Sequence, residues 1–498
     1  MKKIKNNITL LNVISNVLLQ IVLIINGFII PRVILTSFGS EVNGLVSSLN
    51  QFLNYINLFE GGLGGVVLAN LYKPLYNKDN EKISSVVNTT RRFYKRLALF
   101  FIIYTLLLAL IYPIITNTSF SYLYIFTLTI ILSMTLYIQF NFSLSYKLLL
   151  QADKKVYIVS FTQIFLTIIN TISFIIISKI YPNIHILKLI SALVFLLQPI
   201  IFNYFVNKYY NLNNKIKSDN KLLNSRWDGF AINIAAFIHN NTDITVLTLL
   251  TNLKTVSVYA IYALVTSGIK KIIQSVSSAI VPTIGQAYAK GKKDELNRKF
   301  ELYEYIIFII TYFFFTIGIL LITPFVLIYT KGVTDINYNQ PLFGLLLIIA
   351  ELLYCIREPY VSLAYSADKF KEIKNAAYIE AILNIIISLI LVSKFGLIGV
   401  AIGTLIAMFY RTMFHIIYLS KKLINRSIYC SINKLVIFTI TSLLTIFISI
   451  NLFPLNNLSI INWLIHAIIY SLIEALLCLI ISLLFFKKEL FKILRINK

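Results

Sequence analysis

A chain of 498 residues that is 58% hydrophobic and only 13% charged, at a mean hydropathy of +0.80, has too little polar surface to cover itself in water. Apolar runs of about 20 residues must then close their own backbone hydrogen bonds as helices, because hydrocarbon offers no other partner. The net charge of +25 would suit a nucleic-acid binder, but its distribution along the chain gives it a different meaning.

The first run, Ile8 to Ile30, follows the basic start Met1-Lys2-Lys3-Ile4-Lys5. It exceeds a signal h-region in length and has no small-x-small cleavage site, so it reads as a retained helix. Further runs lie near 42–70, 97–115, 121–146, 156–178, 188–207, 227–252, 255–285, 304–328, 341–365, 375–393, 397–418, 434–453 and 459–486. The expected fold class is an all-α integral membrane protein of about 14 transmembrane helices.

Lys and Arg accumulate in loops that stay in the cytoplasm. The N-terminus, alternate loops beginning with 71–96, and the C-terminal tail hold 35 of the 45 basic residues. The other loops hold six: Arg32, Lys179, Lys188, Lys254, Lys331 and Lys394. An even helix count with both termini cytoplasmic is the expected topology. Anionic lipid accounts for the charge without nucleic acid. The outer loops are about ten residues or fewer, leaving no external domain for chemistry. Three scattered cysteines, Cys355, Cys430 and Cys478, suggest neither a disulfide framework nor a metal cluster.

A weak internal repeat is visible. Ala152-Asp153-Lys154 precedes the fifth run and Ala367-Asp368-Lys369 the eleventh; Ser178-Lys179 and Ser393-Lys394 close them, at the same offset of 215. Two six-helix lobes, 1–220 and 221–425, followed by two C-terminal helices with a basic tail in 426–498, are the organisation this implies.

Polar stripes within apolar helices locate protein-facing or wet surfaces. The second run carries Asn43, Ser47, Asn50, Asn54, Asn57 and Gly61 at alternating spacings of four and three, all on one face. The eighth run places Tyr262, Thr266, Lys270, Gln274 and Ser277 on one face, with Lys271 to the side. The seventh contributes Asn233, Asn240 and Asp243, the first Asn12, Asn16, Gln20 and Gly27. Such stripes also serve as interhelical glue, but four of them in repeat-related helices point to a central wet cleft. Ionisable groups are sharper markers, since each costs about 2.5–3.5 kcal/mol at a helix centre. Those deep in runs are Asp243, Lys270, Lys271, Glu351, Arg357, Glu358, Glu380, Arg411 and Glu474. Some must form structural pairs, with Arg357 or Glu358 and a neighbouring helix as one case. Asp243 with Lys270 is another. Glu60 and Arg32 lie nearer helix ends, where snorkelling explains them. His239, His415 and His466 have no ligand-spaced companions and read as packing residues.

The segment FIIPRVILTSFGSEVNGLVSSLNQFLNYINLFEGGLGG, Phe28 to Gly65, resembles the start of the Wzx-like flippases, bacterial polysaccharide exporters of the multidrug/oligosaccharidyl-lipid/polysaccharide superfamily. The basic stretch after Tyr72-Lys73-Pro74 and the segment VSVYAIYALVTSGIKKIIQSVSSAIVP are similar to that family too. The resemblance implies a MATE-like architecture, alternating access and a bacterial inner-membrane location. The implied substrate is a polyprenyl-diphosphate-linked oligosaccharide, flipped from inner to outer leaflet for O-antigen or capsule synthesis, with polymerase or ligase machinery as partner. In related lipid II flippases a cationic cavity is lined by helices 1, 2, 7 and 8; here Lys270 and Arg32 are the residues on offer, and the first two runs carry no basic residue at mid-span.

A diphosphate with hydrophilic sugars needs compensating donors and positive charge to cross hydrocarbon. Lys270 would meet the diphosphate and the asparagine stripe the sugars. No G-x-x-x-x-G-K-[ST] pattern occurs, so neither ATP hydrolysis nor any cofactor is expected. Coupling to membrane potential or an H+/Na+ gradient follows, with Asp243 as the ion-coupling carboxylate. The alternatives are a cation-coupled multidrug exporter, which favours acidic cavity groups, and a membrane glycosyltransferase or polymerase, which needs larger outer loops. A pure scaffold needs no ionisable cleft.

Overall fold

The computed structural model describes residues 2–61, 63–216, 218, 219, 237, 241–367 and 369–493. Among them every regular element is helical, and the protein is a multi-pass membrane protein. Eleven of the described helices are long and apolar enough to cross a membrane. The first of these, Leu10–Glu60, is two helices in one: α1 (Lys2–Leu53) breaks at Gly39, where φ of 82° and ψ of −179° demand a residue without a side chain. Pro341–Ser366, which carries Glu351, Arg357 and Glu358, is helical too but is not one of the eleven. With it, helices cover thirteen of the fourteen runs; of the seventh, 227–252, the described residues are 237 and 241–252, helical at 237 and 241–250.

By spatial proximity the chain forms two units, Met1–Ser257 and Val258–Lys498. In the first, α1 is followed by α2 (Leu63–Asn77) and α3 (Asn80–Ile115). Asp79 caps α3 by accepting the Lys82 N–H at 3.0 Å, and that hydrogen bond holds its carboxyl below the usual range. α4 (Tyr122–Ile138) passes through one π-helical turn, Gln139–Ser143, into α5 (Leu144–Ala152). α6 (Val156–Ile180) follows, then α7 (Ile184–Phe195) and α8 (Leu197–Tyr209), one span bent ahead of Pro199. The unit closes with α9, residues 241–250.

Hydrophobic burial cannot bind helices in lipid, so polar side chains and close backbone approach do. The first arm of α1 is tied to α6 and the turn before it. Asn12 donates to the Lys154 carbonyl at 2.7 Å and accepts the Tyr157 N–H at 2.9 Å, and Asn26 accepts from Thr171 at 2.6 Å. The second arm zips onto α9 through Ser48 with Thr248 at 2.7 Å, Gln51 with Asn241, and Tyr55 with Thr245. A Cβ on Gly44 would lie 1.7 Å from the Leu253 carbonyl oxygen, so only glycine lets these backbones meet.

The second unit comprises α10 (Leu253–Ala289, from Val258 onward), α11 (Lys293–Tyr329), α12 (Pro341–Ser366), α13 (Phe370–Phe395), α14 (Leu397–Leu419), α15 (Tyr429–Leu452), α16 (Ile460–Phe485) and α17 (Lys487–Ile493). α15 is pinned to α11 by one carboxylate. Glu304, fully buried, accepts from Arg426 through both nitrogens at 2.8 and 2.9 Å, from Lys434 at 2.7 Å, from Ser431 at 2.8 Å and from Tyr360. Glu474, also fully buried, accepts from Thr445 and from the Cys478 thiol at 3.5 Å, while Thr316 donates to Ser442 at 2.6 Å.

Glu304→Gln leaves two buried cations without their charge partner, a class of change that costs about 3–5 kcal/mol. Thermal unfolding of the detergent-solubilised protein should show a clear drop in midpoint, whereas Glu81→Gln, at an exposed position, should leave it within a degree or so.

Candidate functional site

The first unit contains a pocket of about 400 Å³. α1 supplies Asn26, Gly27, Ile30 and Pro31 from its first arm and Asn50 from its second; Asn54 follows in the next turn. Leu132, Thr135 and Leu136 come from α4, Asn170 and Phe174 from α6, and Lys188, Ser191 and Phe195 from α7. Pro31 has no N–H to give the Gly27 carbonyl four residues back, which frees an acceptor at the wall. The Asn170 side-chain oxygen is buried with no hydrogen-bond partner among the described residues. Four carboxamides, each both donor and acceptor, and two hydroxyls thus surround one space.

Lys188 is the only charged group on this wall among the described residues. It is half-buried, and its ammonium lies 5.2 Å from the Phe174 ring centroid, an electrostatically favourable seat for a cation. No carboxylate among the described residues lies within ion-pair distance of it. Sequence reasoning placed Lys188 at the edge of an outer loop. The signal that corrects this is Asn183, whose side chain accepts the His185 and Ile186 N–H groups at 2.9 and 3.3 Å and starts α7 there. Lys188 is therefore inside the helix, facing the pocket, and not in the loop.

The second-run stripe divides. Asn50 and Asn54 line the pocket, and Asn57 donates to Asn54 at 3.3 Å. Asn43 is buried and donates to Ser257 at 2.7 Å, and Ser47 is half-buried beside it. Asn16 and Gln20 are exposed on α1, ahead of the pocket. Arg32, half-buried next to Pro31, does not line it. Asp243 is buried in α9 at 5% exposure. Asn233, Asn240 and His239 fall outside the described residues.

In the second unit the intramembrane charges form a balanced chain. Lys270 on α10 pairs with Glu351 on α12 at 3.0 Å. The Tyr354 ring lies between two cations, Lys270 at 4.7 Å and Arg357 at 4.8 Å. Arg357 reaches Glu380 on α13 at 3.4 Å, and Arg411 on α14 pairs with the same carboxylate. Glu358 accepts from Ser277 at 3.5 Å. Three cations thus meet two carboxylates, Glu351 and Glu380, with Glu358 hydrogen-bonded to a hydroxyl beside them. Tyr262 and Thr266 are packed inside the unit: the Tyr262 hydroxyl donates to the Tyr338 carbonyl at 2.9 Å and accepts the Gln340 N–H at 3.1 Å. Gln274 lies 3.5 Å from the Tyr354 hydroxyl, and Lys271 is exposed. Lys270 has its counter-ion in Glu351, within its own unit. No group of three or more His, Cys, Asp or Glu suited to a metal occurs among the described residues.

No protein-family profile and no curated protein sequence matches this chain. Solved structures do. The chain is similar to lipid II flippase MurJ in an inward closed conformation, at 18% identity and a TM-score of 0.70, over 96% of this chain and 99% of that one. It is similar to an inward-facing multidrug resistance MATE family transporter of the MOP superfamily, at 14% identity and 0.60, over 80% and 94%. A eukaryotic MATE transporter matches at 11% identity and 0.60, over 85% and 97%. The shared property is the fold, that of MurJ and the MATE transporters.

If Lys270 and Glu351 are held mainly by each other, their single substitutions are not additive. Lys270→Met and Glu351→Gln should each destabilise, and the double variant should recover about 1–3 kcal/mol relative to the sum in a double-mutant cycle of unfolding free energies.

Proposed function

We propose that this protein is a flippase that carries a lipid-linked oligosaccharide across the bacterial cytoplasmic membrane for surface polysaccharide synthesis, its termini in the cytoplasm. The observation that carries this reading is the first-unit pocket. Four carboxamides, two hydroxyls and one lysine with no carboxylate partner among the described residues, set within membrane-spanning helices, can replace water around a sugar. The whole-length likeness to a lipid II flippase supports it.

The structural neighbours include MATE transporters, some of them described as multidrug. A pocket for organic cations wants a carboxylate, and none of the fourteen lining residues is Asp or Glu. The anion- and hydroxyl-binding character of the wall favours the oligosaccharide. The lipid diphosphate needs a cation as well; Lys270 fits that role once the diphosphate displaces Glu351 from it. With no nucleotide-binding motif in the sequence, the driving force is the membrane potential or an H+/Na+ gradient. Asp243 is the carboxylate assigned to it, being buried and ionisable in a span.

In a bacterial strain lacking its own flippase, expression of this chain should restore surface polymer and clear lipid-linked oligosaccharide from the inner leaflet. The double variant Asn50→Ala/Asn54→Ala should transport at least about tenfold more slowly at equal protein level, about 1.4 kcal/mol; wild-type transport would remove the pocket from the path. Asp243→Asn should abolish the dependence of transport on pH and potential in vesicles, and an unchanged dependence would take Asp243 out of coupling.

A further inference from the structure

The charge content of the pocket says more about its ligand than its polarity does. A bare ammonium in a membrane-spanning helix is costly, and the protein offers Lys188 an aromatic face but no carboxylate among the described residues. In the second unit, by contrast, Lys270, Arg357 and Arg411 each have an acidic partner. The missing negative charge is left for a ligand to supply. A diphosphate is a poor match: it carries more than one charge and is usually gripped by several cations or a bidentate guanidinium, whereas this wall presents one point charge. The volume, about 400 Å³, lies at the small end of ligand pockets and has room for about one or two sugar rings.

The geometry points to an acidic sugar, a pyranose bearing a single negative charge, as the unit this pocket receives. Resting on the flippase reading, this names the substrate class more narrowly: an oligosaccharide with at least one monoanionic residue. Lys188 pairs with the anionic group, Asn50, Asn54 and Asn170 exchange hydrogen bonds with ring hydroxyls, and Phe174 offers an apolar surface to the C–H face of the ring. The charged group is a carboxylate, as in a uronic acid, or a phosphodiester substituent; both present one negative charge.

The test uses the full-length chain in nanodiscs and saturation-transfer NMR with three probes: methyl glucuronide, neutral methyl glucoside and a glucosyl glycerol phosphodiester. The glucuronide or the phosphodiester, whichever is the source, should bind at least about tenfold more tightly than the glucoside, and the stronger of the two identifies the group. Lys188→Gln should erase the preference, and Lys188→Arg should keep it. Should Lys188→Gln fail to fold, the salt dependence of wild-type binding decides: acidic-probe affinity must fall with ionic strength while glucoside affinity stays level. Equal binding of all three, absent binding, a preference that survives Lys188→Gln, or salt-insensitive binding overturns the inference. Complementation separates the two readings. Rescue of a strain whose lipid-linked oligosaccharide is neutral, alongside equal probe binding, overturns the acidic-sugar assignment and leaves the flippase standing. A folded protein that rescues no strain overturns the flippase.

Discussion

Inside a bilayer a charge is stable only with its partner beside it, and that constraint organises this protein. Glu304 is surrounded by Arg426, Lys434, Ser431 and Tyr360 and so welds α15 and α12 to α11. Lys270 is matched by Glu351, and Arg357 and Arg411 share Glu380, along four helices. These groups hold helices together where hydrophobicity gives no preference for protein over lipid. Lys188 stands apart because an aromatic ring is its only described partner, and it lines an open space.

Polar but uncharged side chains divide in the same way. The second arm of α1 faces two environments at once. Ser48, Gln51 and Tyr55 bond α9, and Asn43 bonds Ser257. Asn50 and Asn54, on an adjoining face, open onto the pocket with Asn26 and Asn170. One helix thus serves as adhesive on one side and as a hydrated wall on the other. The break at Gly39 and the proline at position 31 allow this: the first redirects the chain, and the second removes a backbone donor where the wall needs an acceptor.

The fold alone does not select a substrate. The same architecture is found in a lipid II flippase and in MATE transporters, at identities of 11–18%, so specificity must reside in the few side chains that line a site. In this chain those side chains are carboxamides, hydroxyls and an ammonium, with no carboxylate. They suit hydroxylated, negatively charged matter and are ill-suited to a cationic drug.

The sequence by itself determined that the chain crosses a membrane as α-helices, and eleven of the described ones are long and apolar enough to do so. Runs of apolar residues have only one way to satisfy their backbone in hydrocarbon, and the signal is local. It also marked most of the embedded charges, because Glu351, Arg357, Glu380 and Arg411 interrupt those runs. Only the tertiary structure decided which charges neutralise one another: Lys270 and Glu351 are 81 positions apart, and Arg411 meets Glu380 across a helix pair. It decided equally that Asn50 faces a cavity while Asn43 faces Ser257, since periodicity gives the face of a helix and not what lies opposite. Lys188 was hidden because a lysine near a span end reads as a loop residue. The Asn183 cap and the packing of five helical segments around one space place it in the pocket.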